Sequence, residues 1–129
     1  MKRRILLLED EPTIQRLLNF IFSDTYELHF VQNGFEAMLW IENNRIPDLI
    51  IMDWMMPQMD GKSFIKCIKV SGMYSEIPII VLSGCENVGE ELSELAYTIE
   101  RQFSKPFDPK ELKAAVSAIM NTIEYGVVN

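Results

Sequence analysis

The sequence predicts an α/β domain built on a mostly parallel sheet, because short apolar runs alternate along it with segments of helical periodicity. Three of the runs, Ile5–Leu8, Leu49–Met52 and Ile79–Leu82, are apolar at every position, as strands covered on both faces must be. Each stops at polar residues: Glu9 and Asp10, Asp53, and Ser83. The 129 residues, 48% apolar and 24% charged, suit one domain with a single hydrophobic core.

The elements follow in order. After Ile5–Leu8 and the acidic cluster Glu9-Asp10-Glu11, Pro12 suits the first turn of a helix whose apolar stripe is Ile14, Leu17, Leu18 and Ile21. Tyr26, Leu28 and Phe30 alternate with Glu27 and His29, which describes a half-buried strand at a sheet edge. Asn33-Gly34 turns the chain into a helix with Ala37, Met38 and Ile41 inward, and Pro47 ends that path before Leu49–Met52. Pro57 to Gly61 reads as a loop, with Asp60-Gly61 as a turn pair, and Phe64, Ile65 and Ile68 mark the inward side of the next helix. Beyond Ile79–Leu82, a helix with Val88, Leu92, Leu95 and Ile99 inward carries Glu86, Glu90, Glu91 and Glu94 outward. A short strand near Gln102–Ser104 is closed by Lys105-Pro106. Asp108 can then cap a last helix striped by Leu112, Val116, Ile119 and Ile123. The domain is expected over residues 1–125, with 126–129 a frayed tail and no effector domain within the chain.

Composition excludes several functions. Twelve Lys and Arg against nineteen Asp and Glu give a net charge of −7, the wrong sign for direct nucleic-acid binding or for an anionic membrane surface. The apolar runs are strand-sized, and the basic Met-Lys-Arg-Arg start lacks the apolar stretch of a secretory signal, so a cytoplasmic location is expected. Cys67 and Cys85 have neither CxxC spacing nor neighbouring histidines, and both are read as reduced thiols.

In an open parallel sheet, the carboxyl ends of the strands line one edge, and ligands bind where strand order reverses. Glu9, Asp10, Asp53, Ser83 and Lys105 should therefore meet in one cleft holding three carboxylates, a hydroxyl and an ammonium. Taken singly, each is a plausible turn or cap residue; it is their joint placement that points to chemistry. Three adjacent carboxylates repel one another unless a cation joins them, and an all-oxygen set with room for waters and a phosphoryl group suits Mg²⁺ better than zinc. Asp53 stands alone at its strand end and suits a nucleophile that would carry a phosphoryl group as an acyl phosphate, whereas Glu9 and Asp10 are adjacent and suit the metal.

Leu-Leu-Leu-Glu9-Asp10-Glu11-Pro12, Asp48-Leu-Ile-Ile-Met-Asp53-Trp-Met-Met-Pro57-Gln-Met-Asp60-Gly61, Ser83-Gly84 and Lys105-Pro106-Phe107 together resemble a bacterial response-regulator receiver domain over nearly the whole chain. The resemblance implies a CheY-like (flavodoxin-like) doubly wound sheet of five parallel strands in the order 2-1-3-4-5, with five helices. It implies phosphorylation of Asp53 by a sensor histidine kinase or histidine phosphotransfer protein. Mg²⁺ would be held by Glu9, Asp10, Asp53 and the backbone carbonyl of Met55. Lys105 would pair with the phosphoryl oxygens, and the Ser83 hydroxyl would move toward them. The Lys105-Pro106 bond would be cis, a geometry essentially confined to X-Pro bonds.

The chain departs from that pattern in places. Gln102 stands where the family usually has Tyr or Phe as a switch, and Phe103, one place later, is read as core. Met55 and Cys85 flank the expected path of the hydrolytic water and position it poorly, so a long-lived phospho-Asp53 is expected. The dimer face of winged-helix regulators uses basic residues where Ala115 and Ala118 lie here, so a monomer or weak dimer is expected. His29 and Trp54 read as structural. A phosphohydrolase would need an acid two residues after Asp53, where Met55 stands, and a flavin phosphate would be repelled by Glu9-Asp10-Glu11. A phosphorylated switch acting on a downstream protein is the leading reading, not an enzyme in the ordinary sense; an unphosphorylated scaffold is the alternative.

Overall fold

The computed structural model describes residues 2–56, 58–84, 92 and 99–126. Five strands, β1 (Arg4–Leu8), β2 (Glu27–Val31), β3 (Leu49–Asp53), β4 (Ile79–Ser83) and β5 (Arg101–Ser104), pair in parallel in the order β2-β1-β3-β4-β5. The described residues hold four helices: α1 (Pro12–Phe22), α2 (Gly34–Asn43), α3 (Gly61–Lys69) and the C-terminal α4 (Pro109–Gly126). The fold is the CheY-like doubly wound sheet that the sequence predicts. None of the described helices is long and apolar enough to cross a membrane.

Alternation along the strands explains why the central runs are apolar throughout. Leu6, Leu8, Ile50, Met52, Ile79 and Val81 face one side, where they meet Ala37 and Ile41 of α2 and Phe64, Ile65 and Ile68 of α3. Ile5, Leu7, Leu49, Ile51, Ile80 and Leu82 face the other, against Leu18 and Phe22 of α1 and Leu112, Ala115, Val116 and Met120 of α4. Each fully buried Leu or Ile contributes roughly 1.5–3 kcal/mol, whereas an ion pair at the surface such as Arg4–Glu27 is screened by solvent and contributes little. The two apolar layers, not the surface charges, hold the frame of the cleft.

The strand order reverses between β1 and β3, which places Glu9 and Asp53 side by side at the switch point. Edge strand β2 alternates as predicted, with Leu28 and Phe30 half-buried and Glu27 and His29 exposed. Asn33 and Asp60 do more than turn the chain. Asn33 caps α2 by accepting the Glu36 N–H (2.9 Å), and Asp60 caps α3 by accepting the Ser63 N–H (2.9 Å), so Gly34 and Gly61 begin helices. Asp108 accepts the Lys110 N–H (2.9 Å) at the start of α4, as predicted.

Two expectations need correction. Ala115, placed on a dimer-forming surface by its position in the sequence, is buried on α4 against the sheet. The stripe of α1 is centred on Leu18 and Phe22, with Ile14 and Ile21 only partly buried. The helix predicted around Val88, Leu92, Leu95 and Ile99, with its acidic face, lies outside the described residues except for Leu92 and Ile99, which pack on the α2–α3 side of the core. Cys85 and the tail 127–129 lie outside them as well.

Candidate functional site

Glu9 follows β1 directly and is only 2% exposed, held at every polar group. Its N–H donates to the Val31 carbonyl (3.0 Å), its carbonyl accepts the Gln15 side-chain amide (2.5 Å), and its Oε2 accepts the Glu11 N–H (3.2 Å). Oε1 accepts a charge-assisted hydrogen bond from Lys105 Nζ (2.9 Å). Asp53 ends β3, where Oδ1 accepts the Met55 N–H (3.3 Å) and Oδ2 lies 3.3 Å from the same lysine nitrogen. Asp10 is exposed at the rim, and all three carboxylates offer oxygens within 4.8 Å of one another.

Lys105 arrives from the far side of the sheet. Its N–H donates to the Ser83 carbonyl (2.8 Å) and its bond to Pro106 is cis, as predicted. Ser83 is fully buried at the end of β4, one residue beyond Leu82, the register partner of Asp53. Phe103, read as core, packs beside Leu112 and Val116, while Gln102 is half-exposed. The Met55 side chain is 64% exposed, and Trp54 is buried against Gly61, so Trp54 is a packing residue as predicted. His29 lies away from the cleft, stacked on Trp40 with ring centroids 4.8 Å apart.

The charges are unevenly balanced. Burial pushes Glu9 and Asp53 above the ordinary carboxylate range, and hydrogen bonding and attraction from Lys105 offset this only in part. Burial also disfavours the charge on Lys105, but its hydrogen bond to Glu9 and the charges of Asp53 and Glu9 together hold it above the ordinary lysine value. One ammonium thus pairs with two of the three carboxylates, Glu9 and Asp53. The donor set is all hard oxygen, with Asp10 open to solvent so that waters can complete an octahedron, and it fits Mg²⁺.

Sequence reasoning missed Gln15. A glutamine in the first turn of a helix has the same signature as any solvated polar residue, and only the fold shows that it reaches back to Glu9.

A doubly wound parallel sheet with an acid triad and a lysine at its switch point defines a CheY-like signalling module. The chain belongs to the response regulator receiver domain family, whose model matches residues 5–117. It is 32% identical over 123 residues to the phosphate regulon transcriptional regulatory protein PhoB of Escherichia coli strain K12, covering 95% of this chain and 54% of that protein. The chain spans about half the length of the curated relatives it matches. Among solved structures, it resembles the signal receiver domain of a signal transduction histidine kinase from Syntrophus aciditrophicus (30% identity, TM-score 0.84, covering 94% and 92% of the two chains). It also resembles the receiver domain of a sensor histidine kinase from Pseudomonas aeruginosa, a structure with a magnesium ion coordinated in the active site cleft (27% identity, TM-score 0.81, covering 94% and 99%).

Proposed function

We propose that the chain is the phosphoacceptor switch of a two-component or phosphorelay system, taking a phosphoryl group on Asp53 from a sensor histidine kinase or histidine phosphotransfer protein. The observation that carries this reading is the convergence of Glu9, Asp10 and Asp53 within 4.8 Å, with Lys105 Nζ reaching both Glu9 and Asp53. A carboxylate oxygen of Asp53 attacks phosphorus, an O–P bond forms, and the N–P bond of the donor phosphohistidine breaks with its electron pair returning to the imidazole. Glu9, Asp10 and Asp53, with the Met55 carbonyl, would hold Mg²⁺, which supplies charge neutralisation for the incoming phosphoryl oxygens.

Lys105 pairs with a phosphoryl oxygen once Asp53 carries the acyl phosphate, and the Ser83 hydroxyl closes on another. The exposed Met55 side chain offers no polar atom to orient an attacking water, which favours a long-lived phosphoryl group. The readout is a changed surface for a downstream protein, made by a cytoplasmic domain that is monomeric or weakly dimeric and touches no nucleic acid itself. Gln102, in place of an aromatic switch, favours a second reading as an unphosphorylated scaffold. Intact mass after incubation with acetyl phosphate decides between them. A Mg²⁺-dependent phosphoryl adduct on the wild type, absent from Asp53→Asn, is expected; a folded wild type that takes up no phosphoryl group in Mg²⁺ overturns the switch and leaves the scaffold.

A further inference from the structure

We propose that Gln15 is a positioning residue for the metal-binding acids: its side-chain amide, bound to the Glu9 carbonyl, fixes the Glu9–Asp10 peptide plane and so sets both the affinity for Mg²⁺ and its preference over Ca²⁺. The inference rests on the reading of Glu9, Asp10 and Asp53 as a Mg²⁺ site.

The hydrogen bond is short (2.5 Å) and spans six residues. Gln15 is itself fixed, since its N–H donates to the Glu11 carbonyl (3.0 Å) in the first turn of α1. The other polar groups of Glu9 are occupied by Val31, Glu11 and Lys105, so the Gln15 amide closes the last one. The anchored carbonyl belongs to the peptide unit whose nitrogen is that of Asp10, and a planar peptide transmits the orientation of one end to the other. Asp10 is exposed, so no surrounding packing fixes its carboxylate, and its direction depends on that plane. Neither Glu9 nor Asp53 needs this support, because β1, β3 and Lys105 already hold them.

Loss of the anchor lets the plane rotate and spreads Asp10 over several orientations. A single hydrogen bond of this kind corresponds to about a fivefold change in affinity. The two ions feel the change unequally. Mg²⁺ demands near-ideal octahedral geometry, whereas Ca²⁺ accepts a variable and irregular shell.

The test uses Gln15→Met, which keeps the length and helix preference of the side chain and removes the donor, and Gln15→Arg, which restores a donor. Tryptophan fluorescence, with Trp54 beside Asp53, is titrated with Mg²⁺ and with Ca²⁺, and melting is followed without either ion. In Gln15→Met the Mg²⁺ Kd should rise about fivefold and the Ca²⁺ Kd clearly less, while the ion-free melting temperature falls by a few degrees because the buried Glu9 carbonyl loses its donor. In Gln15→Arg the added charge weakens both ions, but their ratio returns toward the wild-type value. An unchanged ratio in Gln15→Met, including equal weakening of both ions alongside a lower melting temperature, overturns the proposal and leaves Gln15 a helix residue only. A wild type that binds no Mg²⁺ removes the site itself, a separate failure read from the wild type alone.

Discussion

A β-carbon added at Gly61 would stand 2.6 Å from Trp54 Cε3 and 2.8 Å from the Trp54 carbonyl oxygen, which also accepts the Gly61 N–H at 3.1 Å. Neither atom can withdraw, because Trp54 is buried and its own N–H is tied to the Leu82 carbonyl (2.9 Å). At Gly34 the added carbon would meet Met59 Sδ at 2.6 Å, which can turn away, and Met59 Cγ and Cβ at 3.0 and 3.1 Å, which must give by a few tenths of an ångström. The helix preference for Ala, smaller at this first helical position than in a helix interior, offsets part of that cost at Gly34. Gly61→Ala should therefore lose on the order of 1–3 kcal/mol in urea unfolding and shift the Trp54 emission, with Gly34→Ala losing clearly less. Equal effects at the two sites would contradict this account. The residue scale also marks a boundary of what sequence conveys. Asp53 is legible because it ends an apolar strand and Lys105 because Lys-Pro closes a short one, whereas Gln15 and the close Trp54–Gly61 contact arise only when separate segments meet.

Helix starts show a similar ambiguity one level up. Asp60-Gly61 and Asn33-Gly34 suggest turns from composition, yet both are caps, because the side chains that close an Asx-turn also accept the first free N–H groups of a helix. α1 starts differently: no side chain caps it, and Pro12 with its preset φ occupies the first turn. The start of α3 therefore depends on one side chain. Asp60→Ala should lower stability by about 1 kcal/mol, seen as a shifted urea midpoint at constant slope, with Asp60→Asn close to wild type. An unchanged midpoint in the alanine variant would mean that the Gly61–Trp54 contact alone fixes α3. The central strands were legible because they are covered on both faces and hence apolar at every position. α1 was less so: Leu17, Leu18, Phe20, Ile21 and Phe22 make it apolar nearly all round, and periodicity cannot show that Phe22 turns inward while Phe20 is 77% exposed.

Across the molecule, a chain of net charge −7 concentrates buried carboxylates at one edge of its sheet, and this sets how metal, protons and stability are linked. Because Glu9 and Asp53 are raised above the ordinary carboxylate range, the folded metal-free protein holds protons there that the unfolded chain has already released. Their contribution to stability therefore falls as pH rises from the ordinary carboxylate range through the raised folded values, and the full penalty stands above those values. Lys105 has the opposite sign: held above its ordinary value, it stabilises the fold at every pH below that value, and the benefit is lost only as pH climbs through the raised one. Mg²⁺ would relieve the carboxylate penalty by binding the charged forms, and protons compete for the same oxygens. At a free concentration ten times Kd near pH 7.5, the ion should add about 1.4 kcal/mol, a rise of a few degrees in melting temperature. Toward lower pH the rise should shrink, because the raised acids take up protons before ordinary carboxylates do. Comparing melts with and without the ion at each pH cancels the titration of the remaining acids. A rise that does not shrink toward lower pH would show that the ion binds away from Glu9 and Asp53, and would separate the metal from the acid cluster on which the phosphoacceptor reading depends.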